Sequence, residues 1–223
     1  MRVIRWLNKI LVYVILLPIF LICIYAIYDF WCCIKQSESG EYATIAASAD
    51  FDWAANSNVI AIISIDDTTI HYPIVQWRDN KYYLARNERN EYSVAGSIFL
   101  DYRNSKDFDD NYNIIYGHRM SAGQMFSDIA KFEEGEFFDV HKKATILRAD
   151  EEIDTEIIAF LRVGVNSSLY RLESRRLRLD NLQDIKSEAM QYRENNEVGR
   201  IFVLSTCNKK SKSLRDVLVL KEI

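Results

Sequence analysis

Four cysteines occur in the chain, and their placement separates them. Cys23 lies inside a long apolar run, Cys32 and Cys33 follow it closely, and Cys207 stands alone in the rest of the sequence. A disulfide framework is therefore excluded for that larger part. With a single thiol there and three histidines in all, a cysteine-based zinc site is poorly supplied, and neither metal nor cofactor is expected. Cys207 ends the apolar stretch Arg200-Ile-Phe-Val-Leu-Ser-Thr-Cys and opens into Asn208-Lys-Lys-Ser-Lys-Ser213. Positive charge beside a thiol favours the thiolate, its nucleophilic form. A lone cysteine at a strand end equally suits a buried structural role.

Two further residues could give this thiol partners. His118 ends Asn113-Ile-Ile-Tyr-Gly-His, where Gly117 is expected to free the backbone to turn. An imidazole there can serve a neighbouring strand end as acid or base, although by itself it reads as a structural histidine. Arg215 begins the last apolar stretch, Leu214-Arg-Asp-Val-Leu-Val-Leu. If the segments holding Cys207 and Arg215 form a hairpin, the guanidinium returns beside the thiol and can bind a carbonyl or oxyanion. The alternative is a surface pair with Asp216. His71, within a strand pattern, and His141, in a charged turn, read as structural.

These residues need a scaffold. From Val59 onward the texture is one of short β-type runs at 59–65, 70–75, 97–100, 112–117, 144–149, 155–163, 200–206 and 216–221. Each is apolar, β-branched or aromatic, and bounded by turn residues. Eight such runs predict a mostly β fold, a closed or nearly closed barrel. Short helices are expected from Asp79 to Arg86 and from Ser121 to Lys131. The clearest helix covers 181–195, where Asp180 and Gln183 resemble a capping box, and Leu182, Ile185, Ala189 and Tyr192 fall on one face. It separates the sixth and seventh predicted strands.

Ahead of this body, Ile10 to Tyr28 carries no charge, and Arg2, Arg5 and Lys9 precede it. The run suits a signal anchor better than a cleaved signal peptide, whose apolar region is shorter and ends in small residues. The positive-inside rule then predicts a single-pass membrane protein, with a cytoplasmic N-terminus and an extracellular body. The expected division is a tail and anchor over 1–28, a stalk and helix over 29–58, with Ala43–Ala55 helical, and a catalytic barrel over 59–223. The net charge is −4, and setting aside the three N-terminal cations leaves −7 for residues 29–223. An acidic body argues against a nucleic-acid partner.

The chemistry-bearing residues resemble those of a sortase, and of class B in particular. The family's T-L-x-T-C signature is matched by Val203-Leu-Ser-Thr-Cys207, with Val203 in place of the first Thr. Its Y-G-H context is matched by Tyr116-Gly117-His118, and its arginine on the final strand by Arg215. The order His, Cys, Arg is the family's, whereas papain-like peptidases place Cys before His. Tyr72-Pro-Ile-Val-Gln76, Asp79-Asn-Lys-Tyr-Tyr-Leu84 and Ser97-Ile-Phe-Leu-Asp-Tyr-Arg-Asn104 are also similar, and the predicted 181–195 helix sits where class B carries its distinguishing helix. The resemblance implies cell-wall transpeptidation in a Gram-positive bacterium. Cys207 would attack after Thr in a C-terminal sorting motif of a secreted protein. His118 would move the proton, and Arg215 would steady the oxyanion. An amine on a peptidoglycan precursor, or another amine acceptor, would resolve the thioacyl-enzyme. By the same similarity Asn80, Leu84, Tyr170, Ser205 and Thr206 would contact the motif. The other readings are a cysteine peptidase that only hydrolyses, and a membrane-tethered binding barrel without catalysis.

Overall fold

The fold was analysed in a computed structural model, which describes residues 2–37, 57–120, 123–172, 177–196 and 198–223. The chain divides into two compact units, Met1–Ser39 and Gly40–Ile223. The first holds one helix, Arg2–Ser37, with Pro18 inside it. Its uninterrupted stretch of described side chains, 12–28, is apolar and exposed. No helix among the described residues is long and apolar enough to cross a membrane. The single-pass anchor expected over 10–28 is overturned on that ground, and the localisation and membrane association inferred from it fall with it. The helix expected over Ala43–Ala55 lies outside the described residues.

The second unit is mostly β. Its strands are β1 (Val59–Ile65), β2 (His71–Val75), β3 (Ile98–Leu100), β4 (Tyr112–Tyr116), β5 (Lys143–Leu147), β6 (Glu152–Gly164), β7 (Ala189–Tyr192), β8 (Ile201–Cys207) and β9 (Leu214–Glu222). They form one sheet in the order β5-β1-β2-β3-β4-β8-β9-β6-β7, and β5 also pairs with β6. That extra pairing closes eight strands into a barrel and leaves β7 outside the ring. Closure satisfies the backbone groups that an open sheet edge would expose. All eight predicted strands are present.

The closed wall explains the long apolar runs in the sequence. Phe202 and Leu204 of β8 point inward with Leu218 and Leu220 of β9 and Phe160 of β6. Ile201 and Val203 point outward with Val217, Val219, Leu161 and Leu169, against Ile185 of the helix Leu177–Glu188. Both faces of these strands are covered, so they lack polar alternation. Val203, the departure in the cysteine signature, is fully buried in the outer apolar layer.

The helix between the sixth and seventh predicted strands ends sooner than its periodicity predicts. It spans Leu177–Glu188, and residues 189–192 become β7. The cause lies in β6. Its edge pairs with β5 over Glu152–Glu156, and β7 takes up the same edge with Ala159↔Tyr192, Phe160↔Gln191 and Leu161↔Ala189. Backbone groups of a buried strand require partners, and this demand outweighs local helix propensity. The short helix expected near Asp79 is a 3-10 turn, Tyr82–Ala85. The Asp79 carboxylate accepts from the backbone N–H of Lys81 and Tyr82, at 2.7 and 2.9 Å. Ser121 lies outside the described residues, and the helical segments in its region are a 3-10 helix, Phe126–Glu133, and an α-helix, Gly135–Val140.

Phe202 is completely buried and packs on Phe108, with ring centroids 6.0 Å apart. Phe202→Ala is expected to lower the stability of the barrel by about 3–5 kcal/mol, read as a drop in the urea midpoint at unchanged slope.

Candidate functional site

A cleft of about 300 Å³ lies on the outer face of the barrel where β8 ends and β9 begins. It is lined by Asn80, Leu84, Phe99, Tyr116, Gly117, His118, Val165, Tyr170, Ser205, Cys207 and Arg215. Seven of the eight residues singled out in the sequence meet there, the exception being Thr206. Strand parity separates Thr206 from its neighbours. Ser205 and Cys207 project to the outer face, whereas Thr206 follows Phe202 and Leu204 to the inside and is 2% exposed. Its hydroxyl is buried without a hydrogen-bond partner.

Cys207 and Arg215 face each other across the hairpin, in register. Arg215 does not pair with Asp216. Its Nη1 donates to the carbonyls of Lys212 and Leu214, both at 2.9 Å, which ties the guanidinium to its own loop. A guanidinium carries five N–H donors, so donors remain for a carbonyl oxygen. Asp216 points the other way, to the inner end of the barrel, where its buried carboxylate accepts from Arg162 Nε at 2.8 Å and from Asn208 Nδ2 at 2.8 and 3.0 Å. Arg119 adds a contact at 3.4 Å.

His118 follows β4, which runs parallel to β8. Its Nε2–H donates to the carbonyl of Leu84 at 2.9 Å, so the imidazole is held against the 3-10 turn. Gly117 donates its N–H to the carbonyl of Ser205 at 3.1 Å and continues the β4–β8 pairing. Gly117 has no positive φ, in contrast to Gly96 and Gly123, so freedom to turn is not what it supplies. A Cβ there would lie 2.4 Å from Ile98 Cδ1 and 2.6 Å from Phe126 Cδ2. Close packing is the reason for glycine beside His118.

The walls come from connections. Tyr170 ends the 3-10 turn Ser168–Tyr170 after β6, and its hydroxyl lies 2.9 Å from Ser205 Oγ. Burial pushes its phenol above the usual range, against the opposing pull of Ser205 and Arg215. Asn80 donates to Asp101 Oδ2 at 2.9 Å and accepts from the Tyr102 N–H at 3.0 Å. Leu84 is 41% exposed, an apolar side chain presented to solvent by the turn. Sequence reasoning assigned no role to Phe99, Tyr116 or Val165. Tyr116 was visible in the Y-G-H match, and its place two residues before His118 puts both on one face. Tyr116 donates to Asp101 Oδ2 at 3.0 Å. Burial and the adjacent Asp101 carboxylate push its phenol well above the usual range, so it remains a donor.

A thiol, an imidazole and a guanidinium thus border one apolar-walled groove, a set able to form and resolve a thioester on an extended peptide. Among the described residues, no group of three or more His, Cys, Asp or Glu side chains is placed to hold a metal ion. His71 and His141 stand apart from the cleft, hydrogen-bonded to Ser64 and to the Phe137 carbonyl.

Gly117→Ala forces a methyl group onto Ile98 and Phe126, both essentially fully buried. A loss of about 1–3 kcal/mol in thermal or denaturant unfolding is expected, with part recovered by the second change Ile98→Val, which removes Cδ1.

No family model matches the chain. Among curated proteins it is 35% identical over 173 residues to Sortase B of Listeria monocytogenes, a match covering 74% of this chain and 69% of that protein. It is 30% identical over 87 residues to Sortase B of Staphylococcus aureus, covering 39% and 36% respectively. Among solved structures, a Streptococcus pyogenes class B sortase involved in pilus biogenesis matches with TM-score 0.70 and 32% identity, over 78% of this chain and 98% of that one. Sortase B from Bacillus anthracis, in complex with AAEK1, matches with TM-score 0.77 and 28% identity, over 87% and 99%. The relationship in sequence and the shared barrel agree, and the chain belongs to the class B sortases, a family of cell-wall transpeptidases.

Proposed function

We propose that this sortase works through a thioacyl-enzyme on Cys207. The thiolate attacks the carbonyl carbon of the Thr in a C-terminal sorting motif, and a tetrahedral oxyanion forms. Arg215 donates hydrogen bonds to that oxygen from the opposite strand. The C–N bond breaks as His118 gives a proton to the departing amine, leaving the acyl group on sulfur. An amine of a peptidoglycan precursor or similar acceptor then attacks the thioester. His118 takes its proton, and the Cys207 thiolate is released. The motif lies along Asn80, Leu84, Tyr170 and Ser205.

The observation that carries this reading is the register of Cys207 with Arg215 at the floor of a cleft that His118 also lines. The hold of Leu84's carbonyl on His118 adds to it, because the turn that meets the motif is the turn that sets the imidazole.

Incubation of the full chain with a library of sorting-motif peptides tests the proposal, with and without an added amine. Amine-dependent ligated product is expected, together with a thioacyl adduct trapped on Cys207. Cys207→Ala abolishes ligation, and Arg215→Lys, which loses the planar fork, lowers kcat/KM by about 10²-fold or more. Undiminished ligation by Cys207→Ala would sink the mechanism. Hydrolysis that an added amine never diverts would replace the transpeptidase by a peptidase.

A further inference from the structure

Asp101 lies behind the groove and does not line it. Its side chain is completely shielded from solvent, yet its carboxylate receives five hydrogen bonds. Arg103 supplies its backbone N–H at 3.0 Å, Nε at 2.9 Å and Nη2 at 2.8 Å. Asn80 Nδ2 and the Tyr116 hydroxyl converge on Oδ2 at 2.9 and 3.0 Å. The same Arg103 Nη2 also donates to the backbone carbonyl of Tyr170, at 3.1 Å. Burial alone would push the carboxyl up, but the Arg103 fork and Asn80 outweigh it and hold the group below the usual carboxylate range.

The three groove residues reached in this way belong to three different parts of the fold. Asn80 precedes the 3-10 turn, Tyr116 ends β4, and Tyr170 follows β6. Asn80 and Tyr170 lie outside the strand pairing of β4; the Tyr116 and Tyr170 rings stack with centroids 6.3 Å apart and Tyr170 also meets Ser205, but the carboxylate with its arginine reaches all three segments. We propose that Asp101 is a positioning residue for the sorting-motif groove, acting through Arg103, Asn80 and Tyr116 to fix three of its walls together. It touches neither the peptide nor the thiol. A buried ion pair contributes little net stability, because desolvation offsets the attraction, so its contribution here is to geometry. This inference rests on the reading of the cleft as the peptide groove.

Asp101→Asn keeps the shape but sets an amide group among donors. In the full chain, the peptide KM in the amine-ligation assay is expected to rise about tenfold or more, the scale of a lost hydrogen bond to a charged group. The rate of Cys207 alkylation by iodoacetamide, which does not use the groove, stays within about twofold of the unsubstituted chain. Arg103→Lys, which retains the charge beside Asp101 but loses the fork, raises KM in the same direction and covers the case in which Asp101→Asn fails to fold. Combining Asp101→Asn with Asn80→Ala raises KM by less than the product of the single effects, because both act on one contact. A KM unchanged in the variants, or ligation and alkylation falling in equal proportion, overturns the proposal and leaves the reading of the groove standing. Absence of ligation by the unsubstituted chain overturns that reading, and this proposal with it.

Discussion

The register between β8 and β9 is the constraint on which the site depends. Side chains alternate faces along a strand, so a slip of one residue would turn Cys207 into the barrel and bring Thr206 to the groove. What fixes the register is distributed along the hairpin. Leu204 pairs with Leu218 and Phe202 with Leu220 on the inner face, and Val203 with Val219 on the outer. At the open end, where apolar packing runs out, Asp216 takes over. Its carboxylate is held by Arg162 from β6 and by Asn208, the residue directly after Cys207. A shifted strand would leave this charge buried without partners, a cost of several kcal/mol. The hairpin is thereby locked closest to the facing pair Cys207 and Arg215.

The remaining members reach the hairpin by two routes. β4 runs beside β8, and its pairing continues through the Gly117 N–H to Ser205, so His118 emerges next to the end of β8. Ile98 and Phe126 crowd Gly117 so closely that a methyl group would not fit there. Connections supply the rest. The 3-10 turn lends its Leu84 carbonyl to His118, and the turn after β6 lends Tyr170 to Ser205. A rigid wall thus sets the thiol, the imidazole and the guanidinium, while loops that the barrel does not pair set the other walls of the cleft.

How much of this was legible in the sequence follows from what each feature depends on. The eight strands were readable because each is a short β-branched run whose burial on one or both faces leaves a compositional trace. Cys207, His118 and Arg215 could be singled out because strand ends mark where side chains leave the wall and because together they match the order of the family they resemble, and the structure brings all three to one cleft. β7 was not, since Ala189 to Tyr192 carries helical spacing and becomes a strand only because β6 has an edge to fill. Gly117 was recognised for the wrong property: a steric limit set by Ile98 and Phe126 cannot be seen along one strand. Thr206 was placed with Ser205 by the family resemblance, although neighbours on a strand face opposite sides and Thr206 turns into the barrel. Asp101 and Arg103 lay in plain view in Ser97–Asn104 without a role, because their partners come from positions 80, 116 and 170.

Two buried carboxylates therefore bracket the cleft, and they do different things. Asp216 sits below the hairpin at the barrel's inner end, among Arg162, Arg119 and Asn208, and three of these four groups belong to the wall or its immediate continuation. Its partners would be neighbours by strand pairing alone, so it reinforces an arrangement that the backbone already specifies. Asp101 gathers groups that strand pairing leaves independent. Apolar contacts tolerate small sliding, whereas a forked guanidinium on a carboxylate is directional and loses strength when bent. A directional polar hub is therefore suited to the one part of the molecule where separate loops must agree in position, and an apolar cluster of equal volume would hold them together without holding them in place.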